Sequence, residues 1–291
     1  MEIVHVPVMR EEVIEALKIE NSGVYVDATV GLGGHAEGIM QLAGQCTLIG
    51  IDRDDKAIEI AGRRLREYNS VHLVQDSFSN IGSVVKGLGF NKVNGILLDI
   101  GVSALHLKSE GRGFSFLRDE PLDMRMDKRQ DMTAEAVVNK YPEKDLADII
   151  WKFGEERFSR RIAKAIVYAR KKAPIRSCGE LAAIIERSVR RRGKIHPATR
   201  TFQALRIEVN RELEELPAAI EAGVELLDTG GRFCILSYHS LEDRIVKNAF
   251  RNLAREGRFN IITKKPLVPG RTERQSNPSS RSAKLRVGEK I

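Results

Sequence analysis

Along the first hundred residues, short apolar runs alternate with stretches in which apolar residues recur every three or four positions. The runs Val24–Ala28, Thr47–Asp52, Val71–Gln75 and Val93–Asp99 are rich in Val, Ile and Leu and predict buried strands. Between them Ala36–Ala43, Asp54–Glu67 and Ser79–Gly87 read as helices, the second with Asp54 or Asp55 near its start. Strands separated by helices predict βαβ units and therefore a mostly parallel, doubly wound α/β sheet.

The pattern changes after Asp99. From about Thr133 to Arg192 no strand signal remains, and segments such as EKDLADIIWKF and RFSRRIAKAIVYARKK carry the helical period, which predicts an all-helical insertion. A long helical stretch, Ala198 to Leu227, is expected to break or bend near Pro217 and to end at Gly230-Gly231. RFCILSY, Arg232–Tyr238, then reads as a fifth parallel strand, followed by a helix over Leu241–Glu256. Strand candidates at Asn260–Lys264 and Ala283–Val287 flank a basic loop, Pro266–Ser282, and suit a late antiparallel hairpin. The expected domains are thus 1–112 with 216–291, and 113–215.

Composition narrows the class. No apolar run approaches the length of a membrane span, and the N-terminal MEIVHVPVMREEVIEALKIE carries acids where a secretory signal carries bases, so a cytoplasmic location away from membranes is expected. Cys46, Cys178 and Cys234 form no CxxC pair; they read as small buried hydrophobes, and no metal site is expected. The net charge of +8 is unevenly spread. Residues 109–215 hold 24 bases and 18 acids, and 244–291 hold 13 and 3. A polyanion engaged by those segments accounts for the asymmetry; an ion-paired surface of a heat-resistant protein is the alternative.

The candidate chemistry begins where the first strand turns into a helix, in Asp27-Ala-Thr-Val-Gly31-Leu-Gly33-Gly34-His35. Gly31 and Gly33 remove Cβ atoms where backbone and ligand meet, and the helix start beyond offers N–H groups and partial positive charge. Asp52, at the end of the next strand, is placed to accept ribose hydroxyls, which together predicts an adenosine cofactor. The spacing also fits a nicotinamide dinucleotide. Asp27 before the glycines, and an Asp76-Ser77-Phe78 corner offering an acceptor for an adenine amine and a ring for the base, favour S-adenosylmethionine. Thr29 stands where the common methyltransferase motif has its first glycine.

Longer blocks go further. VDATVGLGGH (26–35), IGIDRD (49–54), GILLDIGVS (95–103), RGFSF with PLDMRMD (112–127), GEERFSRRIAKAI (154–166), HPATRTFQALRIEVNRELEEL (196–216), SYHSLEDRIVK (237–247) and NPSSRSAKLR (277–286) closely resemble the bacterial 16S ribosomal RNA cytosine-N4 methyltransferase family, RsmH or MraW. The resemblance implies a Rossmann-type methyltransferase domain interrupted by a helical domain for RNA recognition. It also implies methyl transfer from S-adenosylmethionine, leaving S-adenosylhomocysteine, to the exocyclic amine of a cytidine in the decoding region of 16S ribosomal RNA within the small subunit. Cofactor contacts carry over to Gly33, Gly34, His35, Asp52, Phe78, Asp99 and His106.

A cytosine amine is conjugated into its ring and must shed a proton as the methyl arrives, so the reaction calls for an acceptor beside it. Asp99 is the first candidate. Related amino-methyltransferases follow the acidic residue with Pro-Pro and a stacking aromatic; here Ile100-Gly101-Val102 follows, so any stacking ring comes from elsewhere. His239, in YHSLED, is the second candidate, to take or relay the proton, with Ser240 as a helix cap in the competing reading. Ser103 and Asn277 are candidates for the pyrimidine edge. For RNA, Arg157, Arg160, Arg161 and Lys164 fall at helical spacing on one face, and Arg281 lies among the tail bases Arg271, Arg274, Lys284 and Arg286. Two other functions remain open at this point: a nicotinamide-dependent enzyme, and a non-catalytic RNA-binding assembly factor on a cofactor fold.

Overall fold

The computed structural model describes residues 6–101, 111–189 and 195–291. The strands are β1 (Val24–Asp27), β2 (Thr47–Asp52), β3 (Val71–Gln75), β4 (Val93–Ile100), β5 (Leu227–Ser237), β6 (Phe259–Ile261) and β7 (Lys284–Lys290). The helices among the described residues are α1 (Arg10–Leu17), α2 (Gly34–Leu42), α3 (Asp55–Arg64), α4 (Ile81–Gly87), α5 (Ala134–Lys140), α6 (Glu143–Gly154), α7 (Ser159–Arg170), α8 (Cys178–Ser188), α9 (Thr199–Asn210), α10 (Glu212–Leu226), α11 (Ser240–Arg255) and α12 (Arg271–Ser276). None of them is long and apolar enough to cross a membrane. The chain divides into two compact units, Met1–Leu105 with Leu213–Ile291, and His106–Glu212.

The first unit is an α/β unit built on one seven-stranded sheet, ordered β3-β2-β1-β4-β5-β7-β6. Strands β1 to β5 pair in parallel, and β7 runs antiparallel between β5 and β6. The late strands do pair antiparallel as expected, but it is β7, the last in sequence, that borders β5. Strand order reverses between β1 and β4, and the crevice beyond their C-terminal ends is where an open α/β sheet binds ligands.

Pleat alternation sorts the side chains. Val26, Ile49, Ile51, Ile96, Leu98, Phe233 and Ile235 share one core with residues of α4, α10 and α11. Tyr25, Leu48, Leu97, Cys234 and Leu236 share the other with residues of α1, α2 and α3. Asp27, Asp52, Asp99 and Tyr238 are in phase with the second set, so their side chains leave the sheet on the α1–α2 face. Helix α1 had no counterpart in the sequence reading; its buried Val13 and Leu17 cover that face.

The second unit packs α5 to α9 around Val137, Leu146, Ile150, Ile162, Ile166, Leu181, Ile185 and Leu205. Its start is pinned by polar contacts. The Arg112 guanidinium donates to the carbonyls of Arg125 (3.2 Å) and Met126 (3.3 Å), which explains why residue 112 joins this unit rather than the sheet. Asn210 accepts from Met126 N–H and donates to the Met124 carbonyl, each at 2.8 Å. At the other boundary Glu215 joins the sheet unit, because its carboxylate takes the Arg53 guanidinium (2.6 Å) and the Ser77 hydroxyl (2.7 Å).

The expected helix break at Pro217 falls instead at Arg211, whose φ of 51° ends α9 in the left-handed conformation. Pro217 lies inside α10, which accepts the loss of one helical hydrogen bond without ending. Strand β5 begins at Leu227, earlier than expected, and its first pairing with β4 carries a register irregularity between Val93 and Gly95.

Candidate functional site

The turn from β1 into α2 is held by its neighbours. Val30 N–H donates to the Ile51 carbonyl and Gly33 N–H to the Val30 carbonyl, drawing the loop across β2. Gly31 (φ 51°) and Gly33 (φ 78°) adopt left-handed backbone that a side chain strains. Gly34 lies against Pro7, whose Cγ a Cβ would approach to 2.6 Å. Gly33 caps α2, so the first N–H groups of that helix face the loop with no earlier turn to bond.

Three carboxylates bracket this turn. Asp52 accepts from Gly31 N–H at 2.9 Å and, on its other oxygen, from Asp54 N–H at 2.9 Å; it shapes the glycine loop as well as standing at the ribose position. Asp27 is 1% exposed and accepts from Thr29 N–H at 3.2 Å. Burial pushes its carboxyl up to about 7, against the opposing pull of His35 and the Thr29 N–H. Asp99 is fixed by the loop itself, since its N–H donates to Thr29 Oγ1 at 2.6 Å. Thr29 at a glycine position therefore has a use: its hydroxyl ties the loop to β4, and its φ is not positive.

The Asp99 carboxylate has two aromatic neighbours. Tyr238 donates its hydroxyl to Oδ1 at 2.7 Å, and His35 Nε2 lies 3.6 Å from Oδ2. Both ring nitrogens of His35 are buried without a hydrogen-bond partner among the described residues. Tyr238 passes over Gly101, where a Cβ would meet its ring at 2.8 Å, so Gly101 makes room for the hydroxyl to reach Asp99. Burial first, and Asp99 second, push the Tyr238 phenol well above its usual range, so it stays a donor.

The sequence offered His239 as a second candidate to take or relay the proton, with Ser240 as the cap of the following helix in the competing reading. The cap lies one residue earlier than Ser240, and the side chain of this segment that bonds Asp99 is Tyr238. His239 is the cap of α11: its Nδ1 accepts from Glu242 N–H at 3.4 Å, and Glu242 accepts from His239 N–H at 3.2 Å. Alternation on β5 puts Tyr238, in phase with Cys234 and Leu236, on the face of Asp99. That phase was the signal by which Tyr238 could have been found.

Phe78 is buried in the core beside β1 and β2, with the Arg53 guanidinium 5.3 Å from its ring centroid. Asp76 Oδ1 accepts from Ser77 N–H and the Asn80 amide, both at 2.7 Å, which fixes the corner. His106 and Ser103 lie outside the described residues. Asn277 donates to the Val6 carbonyl at 3.2 Å.

Of the basic candidates, Arg160, Arg161 and Lys164 are exposed on α7 and have no acidic partner among the described residues. Arg157 precedes the helix, in the turn, with its guanidinium 4.8 Å from the Phe158 centroid, so it does not share that helix face. Arg170 donates to the carbonyls of Val138 and Tyr141 and closes α5. In the tail Arg281 is exposed, whereas Arg286 is buried against Asp243 at 2.7 Å.

Known proteins resemble this chain along its whole length. The model of a family described as the MraW methylase family matches residues 2–291. A ribosomal RNA small subunit methyltransferase H of Persephonella marina is 49% identical over 291 residues, covering 99% of each chain. One of the same name from Caldicellulosiruptor bescii is 47% identical over 304 residues, again covering 99% of each. Among solved structures, an rRNA methylase from Streptococcus thermophilus matches with a TM-score of 0.43 at 13% identity, over 97% of this chain and 93% of that one.

Asp27 gives the site a pH signature. Its folded-state value of about 7 lies above the ordinary carboxylate value, so the native state binds more protons than the unfolded chain between about pH 4 and pH 7. The group's contribution favours folding below that window and is lost as pH rises through it. The melting temperature of Asp27→Asn relative to the parent is therefore expected to rise between about pH 5 and about pH 8. Parallel melting profiles for the two proteins would show that Asp27 titrates normally.

Proposed function

The chain belongs to the MraW methylase family, and from that premise we propose that it transfers a methyl group from S-adenosylmethionine to the exocyclic N4 amine of a cytidine in 16S ribosomal RNA. The reading assigns the substrate to the small ribosomal subunit and the protein to the cytoplasm. What carries it is Asp99 at the end of β4, whose backbone N–H is tied to the glycine loop through Thr29 and whose carboxylate is held by Tyr238.

The residues fit the cofactor chemically. Asp27, Asp52 and Asp99 leave the sheet on one face around a helix start, an arrangement suited to a ligand that carries positive charge as well as a carboxylate. A dinucleotide pyrophosphate would bring two negative charges to the same carboxylates, and with the family shown, the nicotinamide reading loses its support. S-adenosylmethionine, when bound, supplies an electrophilic methyl on a positively charged sulfur. Gly33, Gly34 and His35 would hold its amino-acid end through backbone N–H groups, and Asp27 would favour its ammonium. Asp52 would take the ribose hydroxyls, since a carboxylate oxygen accepts more than one bond. The Asp76–Phe78 corner would take the base.

Toward the acceptor, Asp99 accepts a hydrogen bond from the N4 amine. This aims the nitrogen lone pair and gives the departing proton a carboxylate to move to. Tyr238 keeps that carboxylate in one orientation, because its hydroxyl occupies Oδ1 and its ring is fixed over Gly101. His239, engaged as the cap of α11, stands next to this pair and is a second candidate for relaying the proton. Arg157, Arg160, Arg161, Lys164 and Arg281 would meet RNA phosphates, which position a substrate without reading its sequence.

Two outcomes test the assignment on small subunits lacking the modification. Labelled methyl transfer should fall by about 10²-fold or more in Asp99→Ala and by about tenfold in Tyr238→Phe, with the melting shift caused by S-adenosylmethionine retained in Tyr238→Phe. Undiminished transfer in folded Asp99→Ala would remove that residue from the chemistry. Binding to small-subunit RNA should weaken steeply with salt, and Arg160→Glu with Arg161→Glu should weaken it further and flatten the salt slope by about 2. A slope unchanged by the double substitution would place the RNA contact elsewhere.

A further inference from the structure

A cavity of about 340 Å³ opens beside Tyr238, bounded by the start of α11 and the segment between β6 and β7. Its size lies within the range of small-ligand sites, about 300–1,000 Å³. Besides Tyr238 it is lined by Ser240, Arg274, Arg281, Ser282 and Lys284, and no acidic side chain is among its lining residues.

The charges around it are not used up by the fold. Lys284 Nζ reaches Asp243 at 3.1 Å, but that carboxylate also takes the Arg286 guanidinium at 2.7 Å, so one acid faces two bases. Arg274 donates only its Nε, to the Gly270 carbonyl at 3.4 Å, which leaves the forked end of its guanidinium. Arg281 is exposed and has no acidic partner among the described residues. Two guanidinium forks and the Ser282 hydroxyl on one small cavity match the donor pattern of a phosphate group.

Tyr238 ties this cavity to the chemistry. The same residue lines the cavity and bonds Asp99 through its hydroxyl at 2.7 Å. One residue thus separates Asp99 from the cavity, which makes the cavity a neighbour of the place where a base would meet that carboxylate. Resting on the methyl-transfer reading above, we propose that this cavity is a phosphate subsite for the acceptor nucleotide, with Arg274 and Arg281 as its two charged contacts. It would hold the backbone of a base turned out of its stack, which is the form in which an exocyclic amine becomes reachable.

The test compares cytidine, cytidine 5′-monophosphate and cytidine 3′-monophosphate as ligands of the full-length protein by calorimetry in low salt. One of the two monophosphates should bind at least about tenfold more tightly than cytidine, and the one that does identifies the side of the sugar that the cavity serves. In Arg274→Ala with Arg281→Ala that advantage should disappear, while cytidine binding and the melting shift caused by S-adenosylmethionine are kept. Inorganic phosphate should compete with the preferred monophosphate and not with cytidine. Equal affinity for all three ligands, no measurable binding of either monophosphate, or an advantage that survives the double substitution would overturn the subsite. If cytidine methylation is observed and the advantage is absent, the subsite fails alone; if the advantage is present and no methyl reaches RNA, the methyl-transfer reading fails and the phosphate site stands.

Discussion

Asp99 N–H donates to Thr29 Oγ1 across 2.6 Å, and this one bond joins the glycine loop to the strand that carries the carboxylate proposed as the proton acceptor. The loop follows β1 and the carboxylate ends β4, two strands that are neighbours only because strand order reverses between them. Had a glycine stood at residue 29, the loop would turn as easily, but it would have no side chain with which to fix its distance to β4. The other restraints on Asp99 come from the opposite side. Tyr238 reaches it from β5, across a Gly101 that offers no Cβ to block the ring. Catalysis by orientation depends on holding a group to a fraction of an ångström, and in the proposed reading three strands share that task.

The electrostatics follow from the same geometry. Three strand-end carboxylates leave one face of the sheet within reach of one helix start. Asp27 is the most affected of them: burial first, with Asp99 and Asp52 adding smaller contributions, pushes its carboxyl up to about 7. A methyl donor with a sulfonium and an ammonium relieves that strain when it binds, whereas a pyrophosphate would add to it. The carboxylates thus separate two cofactors that the glycine spacing alone leaves together.

Much of this was legible in the sequence. Apolar runs gave the first four strands nearly to the residue, and Asp54 was recognisable as the start of α3, where its carboxylate accepts from Lys56 N–H at 3.0 Å. Gly31, Gly33, Asp27, Asp52 and Asp99 stand where the sequence placed them relative to those strands, in the turn and at the strand ends. What stayed hidden depended on pairing between distant segments. Tyr238 lies 139 residues from Asp99, and only the register of β5 on β4 brings them together. The insertion of β7 between β5 and β6 has no local trace, because each strand alone reads the same in either order. The capping role of His239 was hidden as well: a histidine beside acids suggests proton transfer, while a helix start uses the same ring nitrogen as an acceptor for a backbone N–H. Pro217 was overweighted, since a helix held on one side by Leu216, Ala219, Ile220 and Val224 in the core tolerates one missing bond.

The account stands on the direction in which Asp99 aims its acceptor, at the exocyclic nitrogen of a cytosine. The most direct measurement is the identity of the modified nucleoside after the protein has acted on unmodified small subunits: digestion of the RNA and separation by mass and retention. The account predicts N4-methylcytidine at a single site. A methyl found on ring carbon 5, on the ribose hydroxyl or on another base would contradict it.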